Sequence, residues 1–376
     1  MFITKVELQN FRNYIQLVIE PFKGLNILVG KNAQGKSAVL EAVYVLSTSK
    51  SHRTSKDMDM IRLNQPFAKT IVNINRIKRN DTELSLILSN TEGKSAKIDG
   101  AKKARISDLV GELNSVIFSS EDLNIIKGEP SIRRRFLNLE ISQLSPQYMI
   151  SLGRYKRALE QRNILLKEIR DKSAGISQLN MWDIQLVEYG SVLVEKRIKF
   201  IKSLADKASE IYASISGEDE GLMLSYKSAL KPEVEGISIN ELYTKILTNR
   251  RELDIMRGNT SAGPHRDDFE VFIANMDAKE FASQGQQRTA AISIKLAEID
   301  VMEETSGESP VVLLDDVMAE LDETRRSRVL KYASDRCQTF ITTTHLSELD
   351  NKLIENACVF EIEAGKVING ENNGIS

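Results

Sequence analysis

The segment GKNAQGKS, Gly30 to Ser37, carries the most specific chemistry in the chain. It satisfies G-x-x-x-x-G-K-[ST] in full. An apolar stretch that reads as a strand, LNILV, precedes it. A stretch whose Val39, Leu40, Val43 and Leu46 recur at helical spacing follows. Backbone N–H groups of Gly30, Lys31, Asn32, Ala33, Gln34 and Gly35, backed by the helix N-terminus, would face phosphate oxygens, and the glycines permit close approach. Lys36 reaches the β- and γ-phosphates of a nucleoside triphosphate, and Ser37 offers its hydroxyl to Mg2+. A chance glycine-rich turn lacks the flanking strand and helix, so ATP with Mg2+ is the expected cofactor pair.

Such a loop needs carboxylates opposite it. The apolar run VVLL at residues 311–314 ends in Asp315 and Asp316. Asp315 is expected to hold Mg2+, directly or through water. Asp316 then lies beside the γ-phosphate, where it orients or deprotonates the attacking water. Taken alone, an aspartate pair after a strand more often caps the next helix; the phosphate loop tips the balance. His345 ends the strand-like TFITTT and either hydrogen-bonds the γ-phosphate or is structural. The segment SQGQQR, residues 283–288, has no acidic group and opens the helix-like TAAISIKLAEID. It is either an anion-binding helix start or an ordinary serine N-cap.

These groups need a frame. FITKVELQNF alternates as a strand does, residues 67–106 read as a small antiparallel sheet, and residues 116–118 as a further strand. Two long helices, over residues 147–172 and from Trp182 to about Ile215, pair as an antiparallel hairpin. SGEDEG at 216–221 is a turn, and Ser238 with Glu241 forms a capping box for a helix running to Arg257. FEVFI and KEFAS, separated by the turn ANMDAK, return to strands. A helix over 323–334, the strand TFITTTH and a closing hairpin VFEIEAGKVI complete the chain, with NGENNGIS expected to be disordered. The fold class is therefore α/β, with a mainly helical domain inserted in a nucleotide-binding head. The head takes residues 1–125 and 261–376, the insert 126–260.

Bulk properties exclude several classes. The 376 residues carry a formal net charge of −2, so polyanion binding must use local patches. The cysteines, Cys337 and Cys358, form no CxxC pair, which suits a reducing compartment. No signal-peptide core and no run of about 18 apolar residues is present, so a cytoplasmic location is expected. The three histidines have no carboxylate or cysteine spacing that would make them a metal site. Residues 131–172 hold ten basic side chains, including Arg133 to Arg135, Arg154, Arg157 and Arg162, against four acidic ones. A second cluster is Lys94, Lys97, Lys102, Lys103 and Arg105. Both fit contact with a phosphate backbone. Each is also compatible with a solvated face, and Arg133 to Arg135 with bracing the helical domain.

In this order, phosphate loop, SxG helix start, apolar-DD, the ELD at 320–322 and a strand-end histidine resemble the ABC-type ATPase head. More specific strings narrow the resemblance: LQNFRNY at 8–14, SKSHRT at 49–54, SSEDLNIIKGEPSIRRRFLN at 119–138, SAGPHRDDF at 261–269 and SQGQQRT at 283–289. Together they resemble the RecF family of bacterial recombinational-repair ATPases, related to structural-maintenance and Rad50-type heads. The resemblance implies a nucleotide-sandwich homodimer formed with ATP, in which Ser283, Gly285 and Gln286 of one copy serve the nucleotide of the other. It also implies binding to duplex DNA near single-strand/double-strand junctions, and partnership with the RecR and RecO mediators. Two departures stand out. Asp316 occupies the place where many ABC heads have Glu, which implies slow hydrolysis. Ser120, Glu121 and Asp122 stand where the usual glutamine of the joining loop is expected. The insert is too short for a Rad50-type coiled coil and lacks its CxxC hook. A transporter ATPase subunit and a non-hydrolysing scaffold are the competing readings.

Overall fold

The structure is a computed structural model that describes residues 1–77, 81–216, 220–231, 236–316 and 323–372. In chain order, β1 (Phe2–Phe11), β2 (Tyr14–Ile19) and β3 (Leu25–Val29) lead to α1 (Lys36–Thr48). Then come β4 (Phe67–Asn75), β5 (Thr82–Ser89), β6 (Gly93–Ile98), β7 (Ala101–Lys102) and β8 (Ser115–Phe118). Helices follow: α2 (Asn124–Lys127), α3 (Pro130–Leu144), α4 (Pro146–Arg170) and α5 (Leu179–Ser216). After β9 (Leu222–Lys227) come α6 (Ile239–Asn249), α7 (Arg251–Arg257), β10 (Asp268–Ile273), β11 (Met276–Asp277) and α8 (Ala278–Phe281). The chain continues through α9 (Gln284–Ser306), β12 (Val311–Leu314), α10 (Glu323–Ser334), β13 (Thr339–Thr343), α11 (Asn351–Glu355), β14 (Ala357–Glu363) and β15 (Lys366–Asn372).

Two compact units result, one of Met1–Asp122 with Ala291–Ser376, the other of Leu123–Ala290. The first holds two sheets. One is antiparallel, in the order β2-β1-β4-β5-β6-β7; the other runs β15-β14-β3-β13-β12-β8, parallel except at the β15 edge. β3 sits inside the parallel sheet, so its C-terminal end opens where strands to either side can contribute side chains. α1 packs against β1, β4 and β5 of one sheet and β8 and β13 of the other. That is why AVLEAVYVL is apolar nearly all round: residues 38–48 are all buried.

In the second unit α4 and α5, of 25 and 38 residues, pack side by side as the expected hairpin. Ser145 caps α4, accepting from the Tyr148 N–H at 3.2 Å, and Pro146 fits the first helical position. The hairpin hides charge. Arg162 is fully buried and donates to Asp183 (2.7 Å), Asp254 (2.8 Å) and Thr260 (2.9 Å). Arg197, also buried, donates to the Tyr148 hydroxyl, the Pro264 carbonyl and Asn138 at 2.6–2.9 Å.

Several expectations need correction. KEFAS does not form a strand, because the Asp277 carboxylate accepts from the Lys279 N–H at 2.7 Å and starts the short α8. The helix read to Arg257 breaks at Arg250, whose φ of −96° and ψ of 3° leave helical geometry, although the Asp254 N–H still bonds to the Arg250 carbonyl. The first half of NGENNGIS extends β15; residues 373–376 lie outside the described residues, as do 217–219 of the SGEDEG turn. The second unit runs past residue 260 to Ala290, because β10 pairs along its length with β9. β2, β9 and α3 were not anticipated: β2 and β9 are short strands beside turns.

Candidate functional site

The loop from Gly30 to Gly35 leaves β3 and enters α1 with two backbone conformations that only glycine adopts readily. Gly30 has φ 157°, and a Cβ there would lie 2.2 Å from the Ile362 carbonyl oxygen. Gly35 has φ 117°, with a Cβ 2.7 Å from Asn13 Nδ2 and 2.9 Å from the Tyr14 hydroxyl. Asn13 and Tyr14 also fasten the loop, donating to the Gln34 carbonyl (2.8 Å) and the Gly35 carbonyl (3.1 Å). From the other side, the Ala364 and Gly365 N–H groups bond to Gln34. Lys36, buried at 5% exposure, donates its ammonium to the carbonyls of Gly30 (2.6 Å) and Lys31 (2.9 Å). Its charge is thus held against the loop whose N–H groups would meet a phosphate.

Ser37, Asp315 and His52 converge beside it. Asp315 follows β12 at 9% exposure and accepts from Thr342 Oγ1 at 3.1 Å and from Ser37. His52 Nε2 stands 3.5 Å from its other oxygen. Burial works to raise the Asp315 pKa, but the nearby His52 ring and hydrogen bonds from Ser37 and Thr342 outweigh it and hold the carboxyl below its ordinary value. A hydroxyl and an ionised carboxylate side by side are hard oxygen donors, a set that fits Mg2+. Asp316 is exposed, in the left-handed region at φ 56°, with its N–H on Thr342 Oγ1 at 3.0 Å. One threonine therefore orients both aspartates. His345 is exposed past β13, its Nδ1 3.0 Å from Thr344 Oγ1. The ELD at 320–322 lies outside the described residues.

Reasoning from sequence missed His52, Arg12, Asn13, Tyr14 and Thr342. Arg12 forms a two-pronged pair with the fully buried Glu41 of α1 at 2.6 and 2.8 Å, and Ser51 donates to the same carboxylate at 2.5 Å. LQNFRNY and SKSHRT were thus visible as strings, without their roles: they clamp the helix and loop that hold the phosphate site.

In the second unit, Ser283 and Gln286 cap α9 reciprocally. Ser283 Oγ accepts from the Gln286 N–H at 3.2 Å, and Gln286 Oε1 accepts from the Ser283 N–H at 2.8 Å. The Gln286 amide also donates to Glu220. Ser283 is exposed, and a Cβ on Gly285 would meet nothing nearer than Ser283 Oγ at 3.9 Å.

The expected DNA-facing side chains divide. Lys97, Lys102 and Arg105 are exposed and Lys103 half-buried, with Lys97 and Lys102 opposite each other on β6 and β7. Lys94 does not belong with them: its ammonium bonds to Asp57 (2.7 Å) and the Ser49 carbonyl (2.8 Å), and burial lowers its pKa. Arg154 and Arg157 are exposed on α4, Arg154 lying over the Tyr189 ring. Arg133 and Arg162, counted in the basic run, are buried in ion pairs with Asp268 and with Asp183 and Asp254.

Residues 2–367 match the family described as RecF/RecN/SMC N terminal domain. The chain is 42% identical over 370 residues to the DNA replication and repair protein RecF of Shouchella clausii (strain KSM-K16), covering 98% of this chain and 99% of that one. The chain belongs to the RecF family. The RecF protein of Bacillus subtilis (strain 168) is 39% identical over 371 residues, covering 98% and 100%. A solved structure of the recombination mediator protein RecF-ATP in the RecFOR pathway superposes with a TM-score of 0.90 at 34% identity, covering 98% and 97%. The Smc head domain of Pyrococcus furiosus, at TM-score 0.57 and 18% identity, shares the fold. The expected fold class is the observed one: an α/β, ABC-type ATPase head with an inserted mainly helical domain. No helix among the described residues is long and apolar enough to cross a membrane.

Proposed function

We propose that the chain is a RecF-type DNA-binding ATPase whose nucleotide acts as a switch. ATP closes two copies on duplex DNA near single-strand/double-strand junctions, and slow hydrolysis releases them. The closed state supports recombinase loading with RecR and RecO. The observation that carries the reading is the convergence of Ser37 and Asp315 beside a phosphate loop whose lysine is already in place. Residues Gly30 to Ser37 bind the triphosphate, and Ser37 and Asp315 would hold Mg2+, which would supply charge neutralisation of the phosphates. Lys36 stabilises charge on the γ-phosphoryl oxygens. Asp316 orients water, with Thr342 fixing its backbone, and His345 supplies a further donor. One methylene shorter than Glu, Asp316 holds water less closely, which favours a slow switch over a motor. Ser283, Gly285 and Gln286 serve the nucleotide of the second copy, using the positive N-terminal end of α9, where Ser283 is exposed. The exposed side chains of Lys97, Lys102, Arg105, Arg154 and Arg157, with the half-buried Lys103, contact DNA phosphates.

Light scattering with a DNA mobility shift tests this, with and without Mg·ATP, on wild type and Ser283→Arg. Wild type should dimerise and shift DNA only with nucleotide, and Ser283→Arg should bind ATP but remain monomeric. A Ser283→Arg chain that pairs as wild type does would refute the shared-nucleotide reading. Phosphate release by Lys36→Met and Asp316→Asn, compared with wild type, separates an ATPase from a scaffold. Equal background rates in all three would favour the scaffold.

A further inference from the structure

The loop Thr260–Asp268 in the second unit is fixed residue by residue from beneath. Asn163 Oδ1 accepts from the Thr260 N–H and hydroxyl, both at 2.8 Å. Asp254 accepts from the Ser261 N–H at 3.0 Å, and Tyr243 donates to the Ala262 carbonyl at 3.3 Å. Gly263, φ 134°, lies so close to the Tyr155 and Tyr243 hydroxyls that a Cβ would come within 2.4 and 2.3 Å of them. Arg197 holds the Pro264 carbonyl, Tyr155 bonds to His265 Nδ1 at 2.7 Å, and Tyr226 donates to Asp267 at 2.5 Å. Arg133 grips Asp268 with two bonds, at 2.7 and 2.8 Å. The exception is Arg266. Its side chain is exposed, makes no ion pair among the described residues, and has only long contacts, 3.4 and 3.5 Å, to Thr260 O and Asn259 Oδ1. A backbone so over-determined, carrying one outward guanidinium, has the form of a positioned recognition group rather than a solvated surface charge.

Arg266 lines a groove of about 770 Å3 with Lys227, Ser228, Lys231, Ser261 and Asp267. The Lys231 ammonium has no partner among the described residues, and Lys227 pairs with Glu270. The acid in the groove, Asp267, is already bonded to Tyr226 and Ser228 and lies near Arg197. The Ser261 hydroxyl oxygen is buried without a hydrogen-bond partner. No aromatic face stands open in the lining for a base, since its one aromatic residue, Tyr226, is buried. We propose that this groove binds the phosphodiester backbone of a nucleic-acid strand, with Arg266 as the forked donor and Lys231 as a second cation. The chemistry reads charge and geometry, not sequence. This rests on the DNA-binding reading above and adds a contact surface in the Leu123–Ala290 unit that neither basic cluster includes.

The test uses the full chain with Mg·ATP and a fluorescein-labelled duplex carrying a single-stranded overhang, followed by anisotropy at several salt concentrations. Arg266→Ala should weaken binding about tenfold, and its log–log salt slope should fall by about one. Arg266→Lys should keep the slope but recover affinity only in part. ATP hydrolysis without DNA and thermal unfolding should match wild type, because the side chain is exposed. If wild type binds the duplex and Arg266→Ala binds it with equal affinity and slope, this site is wrong while the DNA-binding reading stands. If wild type fails to bind, both fall.

Discussion

The imidazole of His265 gives a pH test of the clamped loop. Its Nε2 lies 3.0 Å from the Thr260 carbonyl, which can only accept, so the neutral ring carries its proton there and Nδ1 accepts from Tyr155. Burial lowers its pKa from 6.5 to about 4; the bond to the Thr260 carbonyl works the other way, and the nearby Arg266 and Arg134 charges add to the lowering. The unfolded chain therefore binds a proton near pH 6.5 that the folded one refuses until about pH 4. Stability rises with pH wherever the unfolded state holds more protons, so this contribution is intact above pH 6.5 and is lost as pH falls towards 4. The loss works out to about 2 kcal/mol by pH 5 and about 3 kcal/mol by pH 4. The sole tryptophan, Trp182, lies in α5 of the same unit, so its fluorescence in urea reports that unit's unfolding. His265→Gln keeps hydrogen-bonding capacity without titrating. The stability advantage of wild type over His265→Gln should shrink by about 2 kcal/mol between pH 7 and pH 5. An advantage constant over that range would refute the assignment of a buried neutral histidine.

Other outcomes follow from the same geometry. Gly285→Ala should leave thermal stability unchanged or raise it slightly, since a Cβ makes only an ordinary 3.9 Å contact with Ser283 Oγ, yet weaken ATP-driven dimerisation in light scattering; unchanged dimerisation would mean that no phosphate comes close there. Arg12→Ala strands the buried Glu41 carboxylate and should cost about 3 kcal/mol in chemical denaturation, whereas Arg53→Ala, 3.7 Å from that carboxylate and half exposed, should cost well under half as much. Lys102→Glu with Lys103→Glu should weaken duplex binding and flatten its salt dependence, whereas Lys94→Ala should lower the melting temperature with little change in that dependence.

The phosphate loop was legible because its chemistry is local: glycine spacing, one lysine and one serine, bracketed by a strand and a helix whose periods differ. The hairpin was legible for the same reason, each helix displaying its own apolar face. What escaped depended on distance along the chain. Arg12 meets Glu41 across 29 residues, and Arg133 meets Asp268 across 135. A local charge count cannot distinguish such a buried arginine from an exposed one. Arg162 and Arg157 sit five positions apart in one basic run, and only the packing of α5 and α7 around α4 makes the first a core residue and the second a surface one.

The same contrast explains why the site is built in two tiers. The groups that would touch phosphate and metal, Lys36, Ser37 and Asp315, belong to short motifs. The groups that hold them still come from elsewhere: Asn13 and Tyr14 on the loop, Arg12 on α1, Thr342 under both aspartates, His52 against Asp315. A change in the first tier should abolish nucleotide chemistry with the fold intact. A change in the second should loosen the geometry, so that nucleotide binding and stability decline together. Thr342→Val is the sharpest case. It keeps the shape of a fully buried side chain and removes one hydroxyl that donates to the Asp315 carboxylate and accepts from the Asp316 N–H. Both aspartates should lose their orientation at once, and hydrolysis should fall further than nucleotide affinity, because the loop and Lys36 remain in place.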